Sequence, residues 1–179
     1  MPKKVPINEL ELLGMEIASN GFYRANLQIT LDDPPETANY YEITGAFLPL
    51  DDMGNVTVDD IGLIPLNIGA DDPEIIDYDL LFNRSSAYLA DNSFNGQTKK
   101  ITFWVDILDP ALLEEDLYII WRCVSPEWYR FFEARRASFQ NPFLTDTDNL
   151  TQPYSLPFNI EGDGFGLFGV GTEEIYKVE

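Results

Sequence analysis

Residues Asp116–Phe143 read DLYIIWRCVSPEWYRFFEARRASFQNPF and join a strand to the one clear helix of the chain. The first part, 116–124, is apolar on both faces, which predicts a strand central in a sheet. Ser125 is a good N-cap, because its hydroxyl can accept from an otherwise orphan backbone N–H. Pro126 suits the first helical position, where a missing donor costs nothing. Glu127 places negative charge at the positive end of the helix dipole. Trp128, Phe132, Arg135 and Phe139 then fall at i, i+4, i+7 and i+11, with Phe131 beside them, so an aromatic stripe is expected to face the core. Glu127 with Arg130, and Glu133 with Arg136, are spaced i, i+3, so ion pairs worth about 0.2–0.5 kcal/mol each are expected. Pro142 bars the α conformation at Asn141, so the helix should end there or just before.

Working outward, most of the chain alternates as strands do. In 22–31 (FYRANLQITL), Tyr23, Ala25, Leu27, Ile29 and Leu31 share one face. After the turn DDPPET, 40–50 (YYEITGAFLPL) reads as a second strand, with Gly45 a candidate bulge and the two strands candidate antiparallel neighbours. In 100–108, Ile101, Phe103, Val105 and Ile107 alternate with Thr102, Trp104 and Asp106. The last residues, GTEEIYKVE, give a final strand. The leading segment MPKKVPINELELLG is expected to be extended, with VPI along a sheet edge. Residues 51–60 (DDMGNVTVDD) read as a turn and short strand, and 61–80 mix short apolar runs with Gly, Pro and acids, which predicts a long excursion of little regular structure. Residues 80–89 fit a short strand or a helical turn. Asn95-Gly96 marks a turn before the 100–108 strand. The connector 109–116 allows one helical turn. The expectation is a mostly-β domain over 1–179: an antiparallel sandwich or partial barrel with one packed helix at about 126–140.

Composition narrows the function classes. With 179 residues and 45% hydrophobic content the chain can bury one core. Lys and Arg total 11 against 31 acids, so the net charge is 11 − 31 = −20. Such a surface repels phosphate backbones and argues against a nucleic-acid partner. No apolar run reaches the roughly 20 residues of a membrane-spanning helix. Lys3 and Lys4 resemble the start of a signal peptide, but no apolar region follows, so no export signal is expected in this chain. The chain has no His and one cysteine. Cys123 lies in an apolar run and reads as a small buried hydrophobe, and a Ser-His-Asp triad is excluded.

The candidate sites are few. Gly164, Gly166 and Gly169 match the spacing of a dinucleotide-binding loop, but no helix follows to hold a pyrophosphate, so positive φ or close packing at Gly162, Gly164 and Gly166 is the expected role. Asp146, Asp148 and Asn149 place two carboxylates and an amide in one loop, a weak calcium candidate without EF-hand spacing; Asp51, Asp52 and Asn55 do something similar. Glu114, Glu115 and Asp116 are adjacent acids in a connector, which does not give the facing pair a glycosidase needs. Arg122, Arg130, Arg135 and Arg136 gather around the helix. In so acidic a chain they form a local positive focus, explained either by internal ion pairs or by a docking face for an anionic partner at Arg130, Arg135 and Arg136.

A family resemblance runs through the same region. Asp91–Gly96 (DNSFNG), Ser125–Phe131 (SPEWYRF), Asn141–Phe143 (NPF) and Asn159–Phe168 (NIEGDGFGLF) occur in an order and spacing similar to the C-terminal part of the domain-of-unknown-function 4249 family of Bacteroidota. The opening PKKVPI resembles that family's junction after an N-terminal immunoglobulin-like region. The resemblance implies a cell-envelope lipoprotein, at the outer membrane, periplasm or cell surface, associated with TonB-dependent receptors. It supplies no catalytic residues. The lipid-bearing cysteine and N-terminal β-domain of that family are not in this sequence, which implies a piece of a longer protein or a shortened relative. The expected function is therefore non-enzymatic binding of a ligand or partner beside an outer-membrane receptor. The alternatives are a structural accessory subunit, or a carbohydrate or peptide hydrolase.

Overall fold

The computed structural model describes residues 1–19, 21–47, 64–79, 85–139 and 169–179. They form two antiparallel sheets and one helix, mostly β, and the sheets are not closed into a barrel. The strands are β1 (Glu9–Ile17), β2 (Tyr23–Asp32), β3 (Tyr40–Phe47), β4 (Ile64–Pro65), β5 (Asn67–Gly69), β6 (Ile76–Asp79), β7 (Ser85–Ala90), β8 (Thr98–Ile107), β9 (Leu117–Val124) and β10 (Gly171–Lys177). The helix, α1, is Pro126–Phe139. The smaller sheet has the order β1-β2-β8-β5, and the larger has β10-β9-β3-β7-β6 with β4 also on β3.

The core lies between the sheets. Leu27, Ile29 and Leu31 of β2 and Ile101, Phe103, Val105 and Ile107 of β8 meet Tyr41 and Ile43 of β3, Ala87 and Leu89 of β7, and Ile119 and Trp121 of β9. The period-2 pattern of β2 and β8 follows directly from this, because only one face of the small sheet is buried. Full burial of each such aliphatic side chain contributes about 1.5–3 kcal/mol. The strand β9 sits between β10 and β3, the central place its two apolar faces predict. Cys123 is buried and its thiol is pushed up by burial.

Four expectations are corrected. First, β2 and β3 are not neighbours: they belong to different sheets, and residues 33–39 carry the chain across the sandwich. That crossing is fixed by buried polar groups. Asp33 accepts from Gly96 N (3.0 Å), from Asn39 Nδ2 (3.2 Å) and from the Tyr41 hydroxyl. Second, Val5 and Ile7 do not lie along a sheet edge but enter the core. Val5 O accepts from Trp121 Nε1 at 2.8 Å, and Val5 N donates to Cys123 Sγ at 3.2 Å. The sheet edge is instead β1, whose ELELLGMEI lacks clean alternation because a bulge falls between Leu12 and Gly14. Third, Gly45 is no bulge on its β9 side, since β3 and β9 keep one register from Tyr40↔Val124 to Phe47↔Leu117. Fourth, the excursion 61–80 contains the short strands β4, β5 and β6; residues 48–63, with the turn and short strand expected at 51–60, and residues 80–84 lie outside the described residues.

Other readings hold. Of the strand or helical turn expected at 80–89, a strand forms at Ser85–Ala90; Gly96 has the positive φ (74°) of a turn, and Pro110–Glu114 is a short 3-10 turn. At the start of α1, Ser125 Oγ accepts from Trp128 N at 3.4 Å. The buried face of α1 differs from the predicted stripe. Tyr129 and Phe132 are buried, while Trp128 and Phe131 are partly so. Phe132 stacks on Tyr88 at 4.6 Å, and Tyr129 packs on Tyr40 at 5.0 Å. The helix therefore lies on the outer face of the large sheet, and the aromatics of β3 and β7 select which residues turn inward.

Candidate functional site

The outer face of the large sheet carries a polar row. Across β6, β7, β3, β9 and β10 the directly paired residues are Ile76, Tyr88, Glu42, Arg122 and Glu173. Strand period and register put these side chains on one face, opposite the core residues Tyr41, Ile43, Trp121 and Cys123. Glu42 is 4% exposed. Its Oε1 accepts from the Tyr88 hydroxyl at 2.9 Å, and its Oε2 lies 3.4 Å from an Arg122 terminal nitrogen without hydrogen-bond geometry. Arg122 Nε donates to Glu173 Oε2 at 2.6 Å. Burial would lower the Arg122 pKa, but the Glu42 and Glu173 carboxylates outweigh it and hold the guanidinium more firmly protonated. Burial, then the neighbouring Glu42 charge, pushes the Tyr88 phenol well up.

Beside this row, where α1 crosses β6 and β7, a cleft of about 490 Å³ opens. Tyr129, Glu133 and Arg136 line it from the helix, Pro73, Glu74 and Ile76 from the approach to β6, and Ala90, Asn92 and Ser93 from the end of β7. Glu74 is already engaged: its Oε2 accepts from Ser93 Oγ (2.7 Å) and from Lys99 Nζ (3.0 Å). Neither expected i, i+3 pair forms: Glu127 does not reach Arg130, and Arg136 makes no ion pair with Glu133 or any other acid among the described residues, its Nε being buried without a hydrogen-bond partner. A guanidinium at the wall of a cleft, without an ion-pair partner among the described residues, is suited to a planar carboxylate or phosphate.

The four arginines of the sequence reading thus separate. Arg122 is tied to Glu42 and Glu173, Arg136 lines the cleft, and Arg130 is exposed on the helix. The Arg135 side chain, the calcium candidates Asp146, Asp148 and Asn149, and Asp51, Asp52 and Asn55 lie outside the described residues. So do Gly162, Gly164 and Gly166. Gly169 makes a close approach to the helix: a Cβ there would fall 2.2 Å from Trp128 Cε3. Among the described residues no group of three or more Cys, Asp or Glu side chains is placed to hold a metal ion, and no helix is long and apolar enough to cross a membrane.

Sequence reading missed a second polar cluster at one end of the sandwich. Asp91 Oδ2 accepts from Asn39 N (2.7 Å) and Asn39 Nδ2 (3.3 Å), and the same amide reaches Asp33. Both carboxylates are buried. Burial, with the nearby Asp33 charge adding to it against the Asn39 hydrogen bonds, holds Asp91 above the ordinary carboxylate pKa of 3.8. The stretch DNSFNG that carried the family resemblance is therefore a structural corner. A carboxyl whose folded pKa is raised binds more protons folded than unfolded between the two values. Its contribution is fully present below pH 3.8 and is lost as pH rises through the folded value. Urea unfolding of wild type and Asp91→Asn between pH 3 and 7 checks this. Wild type should lose stability relative to the variant as pH rises, and parallel curves would remove the assignment.

Compared with known proteins, the chain matches no family model, no curated protein and no solved structure.

Proposed function

We propose that this chain is a non-catalytic binding domain of the cell envelope, in which the cleft between α1 and the β6–β7 side of the large sheet receives an acidic group of a partner beside a TonB-dependent receptor. The observation that carries the binding reading is Arg136, a guanidinium at a cleft of about 490 Å³ with no ion-pair partner among the described residues. Arg130, exposed on the same helix, is taken as the second cation of the docking face. The envelope part of the reading rests on the motif resemblance to the domain-of-unknown-function 4249 family.

Tagged full-length protein purified from the solubilised envelope of the native host tests both parts. A TonB-dependent receptor should co-purify, and an Arg130→Ala, Arg136→Ala variant with an unchanged circular-dichroism spectrum should recover at least about tenfold less of it, the size expected when a charge contact at an interface is truncated. Equal recovery by the variant would refute the cleft as the docking site. Recovery of the tagged protein from the cytosol alone would refute the envelope assignment.

A further inference from the structure

The small sheet ends at β1, and among the described residues no strand pairs with its outer edge. Its side chains divide by face. Glu9, Glu11 and Glu16 lie opposite Thr30, Gln28 and Arg24, on the solvent side of the sheet. Leu10 and Leu12 lie opposite Ile29 and Leu27 and reach the core. Beyond the bulge, Met15 and Ile17 lie opposite Ala25 and Tyr23, on the same inner face, yet they are 51% and 67% exposed. The edge thus has an acidic rail on one side and a partly open apolar rail on the other.

Free edge strands accept further strands unless something prevents it, and acids along the edge select by charge. A second copy of this chain brings the same acidic edge and the same net charge of −20, so self-pairing is opposed. A strand with basic residues at alternate positions meets Glu9, Glu11 and Glu16, and its apolar positions cover Met15 and Ile17. We infer that β1 is a docking edge for an extended partner segment of alternating basic and apolar residues, added to the small sheet by backbone hydrogen bonding. This site is on the opposite sheet from the Arg136 cleft and does not depend on it.

Hydrogen exchange of the full chain, with and without a nine-residue peptide alternating Lys and Val, tests the inference. A peptide of equal charge with proline at the Val positions controls for charge attraction alone, because it cannot donate the ladder bonds. The expected result is slowed exchange confined to the amides of residues 9–17 with the Lys/Val peptide, and none with the proline peptide. A Glu9→Lys, Glu11→Lys variant should lose at least half of that protection and acquire it with a Glu/Val peptide. Unchanged exchange at β1, equal protection by both cationic peptides, or slowed exchange without any peptide in a chain that sediments as a dimer would each overturn it.

Discussion

Trp121→Ala lowers the free energy of unfolding by about 3–5 kcal/mol, the cost of deleting a large aromatic side chain from a packed core. Trp121 is 1% exposed and stacks on Tyr41 with ring centroids 4.7 Å apart. It is also a fastener. Its indole N–H reaches Val5 O at 2.8 Å, so its loss leaves a buried carbonyl without that donor and frees the leading segment. Trp121→Phe is the milder test: a six-membered aromatic ring is kept, the donor and the five-membered ring are lost, and the cost should be smaller, about 1–3 kcal/mol. Urea unfolding gives the energies, and hydrogen exchange at Val5 and Ile7 reports the release. A midpoint for Trp121→Ala equal to wild type would refute its place in the core.

The second large effect is expected at Arg122. Arg122→Met leaves Glu42 buried at 4% exposure with only the Tyr88 hydroxyl as a hydrogen-bond donor among the described residues. Breaking a buried ion pair by removing one partner costs about 3–5 kcal/mol, since the remaining charge is uncompensated. The Arg122 side chain is 32% exposed, so screening by water places the expected loss near the lower end of that range. Adding Glu42→Gln to Arg122→Met should recover a large part of it, because the amide carries no charge to strand. A double-mutant cycle measures the coupling directly. Additive losses for the two single substitutions would show that the pair acts as two independent surface charges.

Both predictions concern groups whose importance is only half written in the sequence. Tyr88, Glu42, Arg122 and Glu173 are spread over much of the chain and share no motif. Register brings them into one row, and no local pattern predicts that register. The same holds for Asp33, Asn39 and Asp91. Asp33 reads as an acid of the turn DDPPET and Asp91 as the first residue of DNSFNG, and their burial becomes visible only once residues 33–39 are seen to cross between sheets. The Arg136 cleft lies between these cases. Its arginine was legible as part of a positive focus on the helix, whereas Glu74, Asn92 and Ser93, which form its other wall, come from segments whose place depends on how β6 and β7 pair.

The sequence by itself determined the local elements. Alternating apolar residues made β2 and β8 strands, the doubly apolar run 117–124 made β9 central, and Ser125-Pro126 started α1, because side-chain period, burial and capping act within a few residues. Tertiary structure alone decided which sheet each strand joined, which face of α1 turned inward, and which acids were buried. β2 and β3 part company because the arch between them is held by Asp33 to Tyr41, Asn39 and Gly96. Tyr129 displaces part of the predicted stripe because Tyr40 waits beneath it on β3. Those outcomes depend on contacts between residues far apart in the chain, and their energies exist only after the sheets have come together.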